Sequence, residues 1–380
     1  MTFKKATLAG ALVLGLFGIA HADLTVGVVL PLTGPASGLG IPMKNQIALW
    51  PKSIAGENLK VVVLDDATDP TTGVKDAQRL VTEDKVDVII GSAATPVAIP
   101  MADVAAESGT VQLAASPAAL PPGKDKWTFR LPQSNDVMAY AVAQHMKALK
   151  VKTIGFLGYT DAYGELWLKA ITAEAEKNGM KVVATERFGR ADTSVTAQAL
   201  KLTAANPDAI LIVASGSGAG MPQKAIMERG FKGKVYQTHA AATQDLMRTA
   251  GKDAEGTYVV SGPATVAEQL PDSHPSKKAA VAFVEGYEKA YGAGTRNQFA
   301  GHSADALTVL EKAVPIALKK GKPGTPEFRA ALRDAMETMG RTVLAHGVLN
   351  WTPDNHWGYT NETGVMLKVV NGQFKVDAQP

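Results

Sequence analysis

His239 is the residue whose chemistry is most open. It stands among three alanines in "THAAATQDL" (238–246). A histidine there can act as a general base, as a hydrogen-bonding wall of a pocket, or as a structural cap. A base needs a nucleophile within reach, and Ser116 in "AASPAA" is the candidate. The usual sequence settings for such chemistry are missing. No G-x-S-x-G elbow occurs, since Ser217 lacks a glycine two positions before it. The Gly-rich "SGSGAGM" (215–221) offers Gly216 and Gly218 but has Met221 where a dinucleotide fingerprint needs its third glycine. There is no G-x-x-x-x-G-K-[ST] phosphate loop and no H-E-x-x-H, and the seven histidines are scattered. No catalytic residue, metal or cofactor is therefore expected. The paired carboxylates Asp65-Asp66 sit beside a helix start and read as a loop or cap feature.

What recurs is a series of small polar residues after apolar runs. "PLTGPASGLG" carries Ser37, "GSAATP" carries Ser92, Ala94 and Thr95, and "AASPAA" carries Ser116 and Ala118. "GYTDAYG" carries Tyr163, "ASGSG" carries Ser215 and Gly216, and "THAAA" carries His239. Any one of these hydroxyls serves equally as a helix cap. As a set they fit a cleft, because ligands of open parallel sheets bind outside the carboxyl ends of the strands. The stretch from Ser92 to Pro96 also enters a helix, whose free amides attract an anion.

The elements that must position these residues alternate. "LTVGVVLPL", "LKVVVLDD", "VDVIIGS", "GTVQLAAS", "KTIGFLGY", "KVVATERF", "DAILIVAS", "KVYQTH" and "TYVVSGP" read as strands, with helical stretches between most of them. Unbroken Val/Ile runs suit parallel strands buried on both faces. Asp69 as N-cap and Pro70 at the first helical position predict a helix start. After about residue 265 long helices follow near 276–291, 302–320 and 325–339, and a β-rich end carries the turn Asn371-Gly372. The βα series restarts at Lys152, which predicts two lobes rather than one long sheet. The late helices, having no matching strands, are expected to pack back on the first sheet.

Residues 1–22 have the layout of a cleavable secretory signal: basic "MTFKK", an apolar Ala6–Ala20, and an A-x-A end at Ala20–Ala22. The apolar run is short for a membrane anchor, and no later run is long enough to span a bilayer. The expected location is the periplasm. With no cysteine, the exported chain must hold together by core burial alone. Without Lys4 and Lys5, basic and acidic residues nearly balance, which points away from nucleic acid and anionic membranes.

In order along the chain, "VGVVLPLTGPASGLG", "VDVIIGSAATP", "VQLAASPAA", "IGFLGYTDAYGE" and "DAILIVASGSG" resemble the type I periplasmic substrate-binding proteins of ABC importers, in the leucine/isoleucine/valine-binding branch. The resemblance covers residues 23 to 375. It implies an α/β fold of two Rossmann-like lobes with parallel central sheets, joined by three crossovers near 131–138, 261–267 and 346–352. Lobe 1 would hold 23–135 and 266–346, and lobe 2 would hold 136–265 and 347–380. It further implies a monomer that holds a small-molecule carboxylate between the lobes and hands it to ABC permease subunits. By the same resemblance the carboxylate would be held by Ser92, Ala94, Thr95, Ser116 and Ala118, and Tyr163 would cover the ligand on closure. Two departures stand out. His239 occupies the place of the acidic residue that pairs with an amino acid's ammonium, and Leu120 replaces a threonine. Small residues Ser215 to Gly218 widen the cavity. The pattern resembles a sub-branch that binds aromatic acids. The rivals are a branched-chain amino acid receptor, needing a carboxylate from Asp161 or Asp245, an exported hydrolase using Ser116 and His239, and a sensor that docks on a membrane receptor.

Overall fold

The computed structural model describes residues 23–377; the expected signal segment lies outside them. The first sheet uses strands β1 (Leu24–Leu30), β2 (Ser53–Ile54), β3 (Glu57–Asp65), β4 (Val88–Gly91), β5 (Val111–Ala114) and β6 (Thr128–Arg130) in the order β2-β3-β1-β4-β5-β6. All neighbours are parallel except the short β2 against β3. Helices α1 (Ser37–Ile47), α2 (Pro70–Thr82) and α3 (Thr95–Ser108) connect β1 to β5. The α2 start is as the sequence predicts: Asp69 accepts from the Thr72 amide at 2.7 Å and Pro70 opens the helix.

The second sheet begins after α4 (Asn135–Ala148). It contains β7 (Thr153–Tyr159), β8 (Lys181–Phe188), β9 (Ala209–Val213), β10 (Lys234–Gln237) and β11 (Tyr258–Ser261). Helices α5 (Ala162–Lys177), α6 (Thr196–Ala204), α7 (Ser217–Glu228) and α8 (Gln244–Ala250) alternate with these strands. Helices α9 (Lys277–Tyr291), α10 (Gln298–Ala317) and α11 (Pro326–Thr338) then return to the first sheet, with α10 on α1 and α11 against β5. A small hairpin, β12 (Thr342–Leu344) with β13 (Gly347–Leu349), packs on α9 and α10. Finally β14 (Val365–Val370) and β15 (Gln373–Val376) add antiparallel edge strands, giving the order β15-β14-β11-β10-β9-β7-β8. Asn371 and Gly372, both at positive φ, make their hairpin turn.

The chain therefore passes between the sheets three times: after β6, after β11 and before β14. The crossings are stitched together. Gln133 in the first donates to the His346 carbonyl at 2.8 Å. Ser261 and Gly262 in the second both donate to Gln298 Oε1, at 3.0 and 3.1 Å. One boundary drawn from the sequence needs correcting. Residues 347–357, placed with lobe 2, belong with the first: Gly347–Leu349 pair with β12, Trp351 lies 5.0 Å and His356 3.8 Å from the Phe129 ring of β6, and the His356 carbonyl accepts from the Arg130 amide. Aromatic stacking on a fully buried strand holds this segment where periodicity alone could not show it.

His346 is wedged at the crossings by two glycines. A Cβ on Gly262 would lie 2.5 Å from its Cδ2, and one on Gly301 would lie 2.3 Å from its Cε1. Either Gly262→Ala or Gly301→Ala is expected to cost about 1–3 kcal/mol by overpacking. Denaturant unfolding checks this, and a loss within error of zero would show that the ring has room to move.

Candidate functional site

The carboxyl ends of the two sheets face each other, and a pocket lies between them. From the first lobe it is lined by Leu39, Ala93, Thr95, Ala115, Ser116, Pro117, Pro132, Phe299 and His302; from the second by Tyr163, Arg190, Ser215, His239 and Ala240. Thr95, Ser116, Tyr163, Ser215, His239, Phe299 and His302 are all buried, so the lobes are closed over it.

Five of the residues singled out in the sequence line this pocket: Thr95, Ser116, Tyr163, Ser215 and His239. Ser37 and Gly216 line a wider groove just outside it, which Ser215 shares. The other three are elsewhere. Ser92 is buried with its hydroxyl turned away, donating to Asp66 Oδ2 at 2.6 Å and accepting from the Ala94 amide at 3.1 Å. Ala94 caps α3 behind the wall. Ala118 packs with Ala98 and Ala114, and its polar groups are used: its amide reaches the Ser116 carbonyl and its carbonyl accepts from Arg130 Nε at 2.8 Å. Arg190, Phe299 and His302, which the sequence reading did not single out, line the pocket instead.

Arg190 follows β8 in "RFGRADTS". Its side chain is only 12% exposed. Asp161 Oδ2 accepts from its Nε at 2.5 Å, Ser215 Oγ lies 3.2 Å from its Nη1, and its guanidinium stacks 4.2 Å over the Tyr159 ring. Asp161 is held in turn, because Oδ1 caps α5 through the Tyr163 and Gly164 amides. Tyr163 spends its hydroxyl on Thr238 Oγ1 at 2.8 Å, which leaves its ring as the surface it gives the pocket.

The imidazoles are neutral. Burial, with His346 close by, pushes His239 down to about 3. Burial, with His346 and His239 close by, drives His302 well below the ordinary histidine value. His239 packs against Tyr163 and Trp167. Its Nδ1, both ring nitrogens of His302, and Ser116 Oγ are buried without a hydrogen-bond partner in the protein. An orphaned Ser116 hydroxyl is not bonded to His239, so the nucleophile–base pair of the hydrolase reading is not formed. His302, Asp305 and His346 lie close enough to consider a metal, with ligand atoms within 4.8 Å of one another. Their geometry argues otherwise. Asp305 Oδ2 is already bonded to His346 Nδ1 at 2.8 Å, and the His302 and His346 rings stack at 4.2 Å, which sets their in-plane lone pairs side by side instead of converging.

Against this geometry, a family model described as periplasmic binding protein matches residues 23–372. The chain belongs to that family. An extracellular ligand-binding receptor from Rhodopseudomonas palustris is 46% identical, covers 94% of this chain and 99% of its own, and superposes with a TM-score of 0.92. The Leu/Ile/Val-binding protein homolog 3 of Brucella melitensis is 27% identical over 84% of this chain and 89% of its own. A solute binding protein of an R. palustris ABC transporter, in complex with benzoate, shares the fold at 19% identity with a TM-score of 0.77, covering 93% of this chain and 95% of its own. No helix among the described residues is long and apolar enough to cross a membrane.

Behind the wall, burial pushes Asp66 up to about 6, against the hydrogen bonds from Ser92 and Thr68. A carboxyl raised in the folded state takes up a proton on folding. Its contribution is therefore most favourable below the unfolded value near 4 and declines as pH rises to about 6. The stability of Asp66→Asn relative to the wild type should rise by up to about 3 kcal/mol between about pH 4 and pH 7. Denaturant unfolding of both proteins across that range checks it; a constant gap would mean that Asp66 titrates normally.

Proposed function

We propose that the protein is the periplasmic solute receptor of an ABC importer, that it binds a small aromatic carboxylate between its lobes, and that it delivers this anion as a monomer to membrane permease subunits. One observation carries the choice of ligand: the sole formal charge lining the pocket is a cation, Arg190. A guanidinium offers paired donors that match a carboxylate. Thr95 and Tyr163, in the first turns of α3 and α5, bring helix N-termini to the same space, and these favour an anion. The remaining wall, including Leu39, Pro117, Pro132, Phe299 and the Tyr163 ring, suits a flat apolar body.

The branched-chain amino acid reading lacks a partner for the ammonium. Asp161 is committed to Arg190 and the α5 cap. Asp245 lines the outer groove and pairs with Arg248 at 2.6 Å. Neutral His239 gives an ammonium no countercharge.

Thermal shift with the chain from residue 23 onward tests the reading. Benzoates and hydroxycinnamates should raise the midpoint in a concentration-dependent way, and leucine and valine should not. A response to leucine or valine alone would overturn it. Arg190→Gln is expected to weaken aromatic-acid binding by about 100-fold or more, as loss of a buried charged partner does.

Affinity for the anion should also be nearly constant from about pH 5.5 to about pH 8, because His239 is held neutral throughout. Were His239 the cation, affinity would fall as pH rose through about 6.5. Titration calorimetry across that range separates the two.

A further inference from the structure

The first turn of a helix leaves backbone amides without an intrahelical acceptor, and a side chain often meets them. Neither α1 nor α7 has such a side-chain cap, and neither carries an acidic residue in its first turn. α1 belongs to the first lobe and α7 to the second, and both begin at the groove outside the pocket. Asp245, near the start of α8, reaches both. A Cβ on Gly38, the second residue of α1, would lie 2.5 Å from Asp245 Oδ2, and one on Gly216, just before α7, would lie 3.5 Å from the same atom. The other oxygen, Oδ1, pairs with Arg248. The Asp245 side chain is only 24% exposed, so this contact is partly withdrawn from water.

We infer that Asp245 is a closure latch: its carboxylate serves the start of α7 within its own lobe and the start of α1 only when the lobes shut, and it thereby sets the closed fraction of the receptor. A carboxylate is favourable there because the amides and dipole of a helix N-terminus carry partial positive charge. The contact with α7 lies inside the second lobe and is the same whether the cleft is open or shut. The contact with α1 crosses the cleft and exists only in the closed arrangement. Such differential contacts are what shift a conformational equilibrium. Gly38 is the other half of the latch. It sits in ordinary helical backbone, where glycine is a poor choice, so its lack of a side chain answers to the neighbouring carboxylate and not to a backbone need. Neither Asp245 nor Gly38 lines the pocket. The latch therefore acts on the ligand-free receptor too, and does not depend on which anion the pocket takes. Apparent affinity scales with the binding-competent fraction, so two residues that touch no ligand help to set it.

The chain has no cysteine, so spin labels can be placed through Lys44→Cys on α1 and Lys252→Cys just after α8, both exposed positions. Pulsed electron spin resonance then reads the open and closed populations of the ligand-free chain from residue 23. The latched protein should show a short-distance, closed population. Asp245→Asn keeps the shape and removes the charge, and should lower the closed-to-open ratio by about three- to tenfold. Gly38→Ala should lower it at least as far, because the new Cβ takes the carboxylate's place. Alanine is the better helix former, so that loss is not a loss of fold. In an Asp245→Ala background Gly38→Ala should have no further effect, since the two residues act through one contact. An unchanged ratio in Asp245→Asn would overturn the latch. So would an effect of Gly38→Ala that persists without Asp245, or the absence of any closed population in the latched protein. These outcomes leave the choice of anion untouched, which the thermal-shift panel decides.

Discussion

A parallel strand must end where its crossover begins, and this single constraint places nearly the whole site. Ala93 and Thr95 follow β4, Ser116 and Pro117 follow β5, and Pro132 follows β6. Across the cleft, Tyr163 follows β7, Arg190 follows β8, Ser215 follows β9 and His239 follows β10. The central strands are buried on both faces, so the interiors of the sheets have no room for chemistry. What they supply is a rigid frame that presents one edge. Two such frames set edge to edge make a pocket whose walls come from different lobes, and a ligand touching both walls stabilises the closed arrangement.

Arg190 shows what keeps such a wall charged. A guanidinium taken out of water without a partner costs several kcal/mol. Asp161 meets that cost, and it can do so because α5 needs a cap at the same point. One oxygen serves the helix and the other the arginine. The Tyr159 ring and Ser215 Oγ complete the cradle. The pair is neutral as a whole, yet its guanidinium faces the pocket and its carboxylate faces a helix end. The pocket therefore sees a positive pole. That asymmetry, more than any count of charges, sets the sign that the pocket presents.

The sequence made the frame readable and half of the wall. Continuous Val/Ile runs identified the parallel strands, and Asp69-Pro70 and Asn371-Gly372 marked a helix start and a hairpin where the structure has them. The strand-end rule found Thr95, Ser116, Tyr163, Ser215 and His239. It would have found Arg190 as well, had it been applied after "KVVATERF", but a polar loop of Gly, Arg, Ala and Asp looks like any exposed connection. Ser92 failed for a different reason. A serine at a strand end can face either way, and Asp66, buried beneath it, draws its hydroxyl inward. Asp65 behaves as a loop staple, accepting from Leu32, Thr33 and Ala67, in line with the reading of Asp65-Asp66 as structural. His302 and Phe299 were out of reach. They come from α10, which packs on the first lobe only after the chain has crossed to the second and back, and no local pattern says which of its faces meets the cleft.

That return gives the pocket its connection to the hinge. His346 lies between Gly262 and Gly301, its carbonyl accepts from Gln133, and its ring carries His302. One side chain thus touches all three crossings' surroundings and the back of the ligand wall. Gln133 and Gly262 belong to two of the crossings, so the stack of His346 on His302 lies directly beside the segments that join the lobes. The wall residue and the hinge residue are in van der Waals contact, so no long pathway is needed for occupancy of the pocket to be felt where the lobes turn.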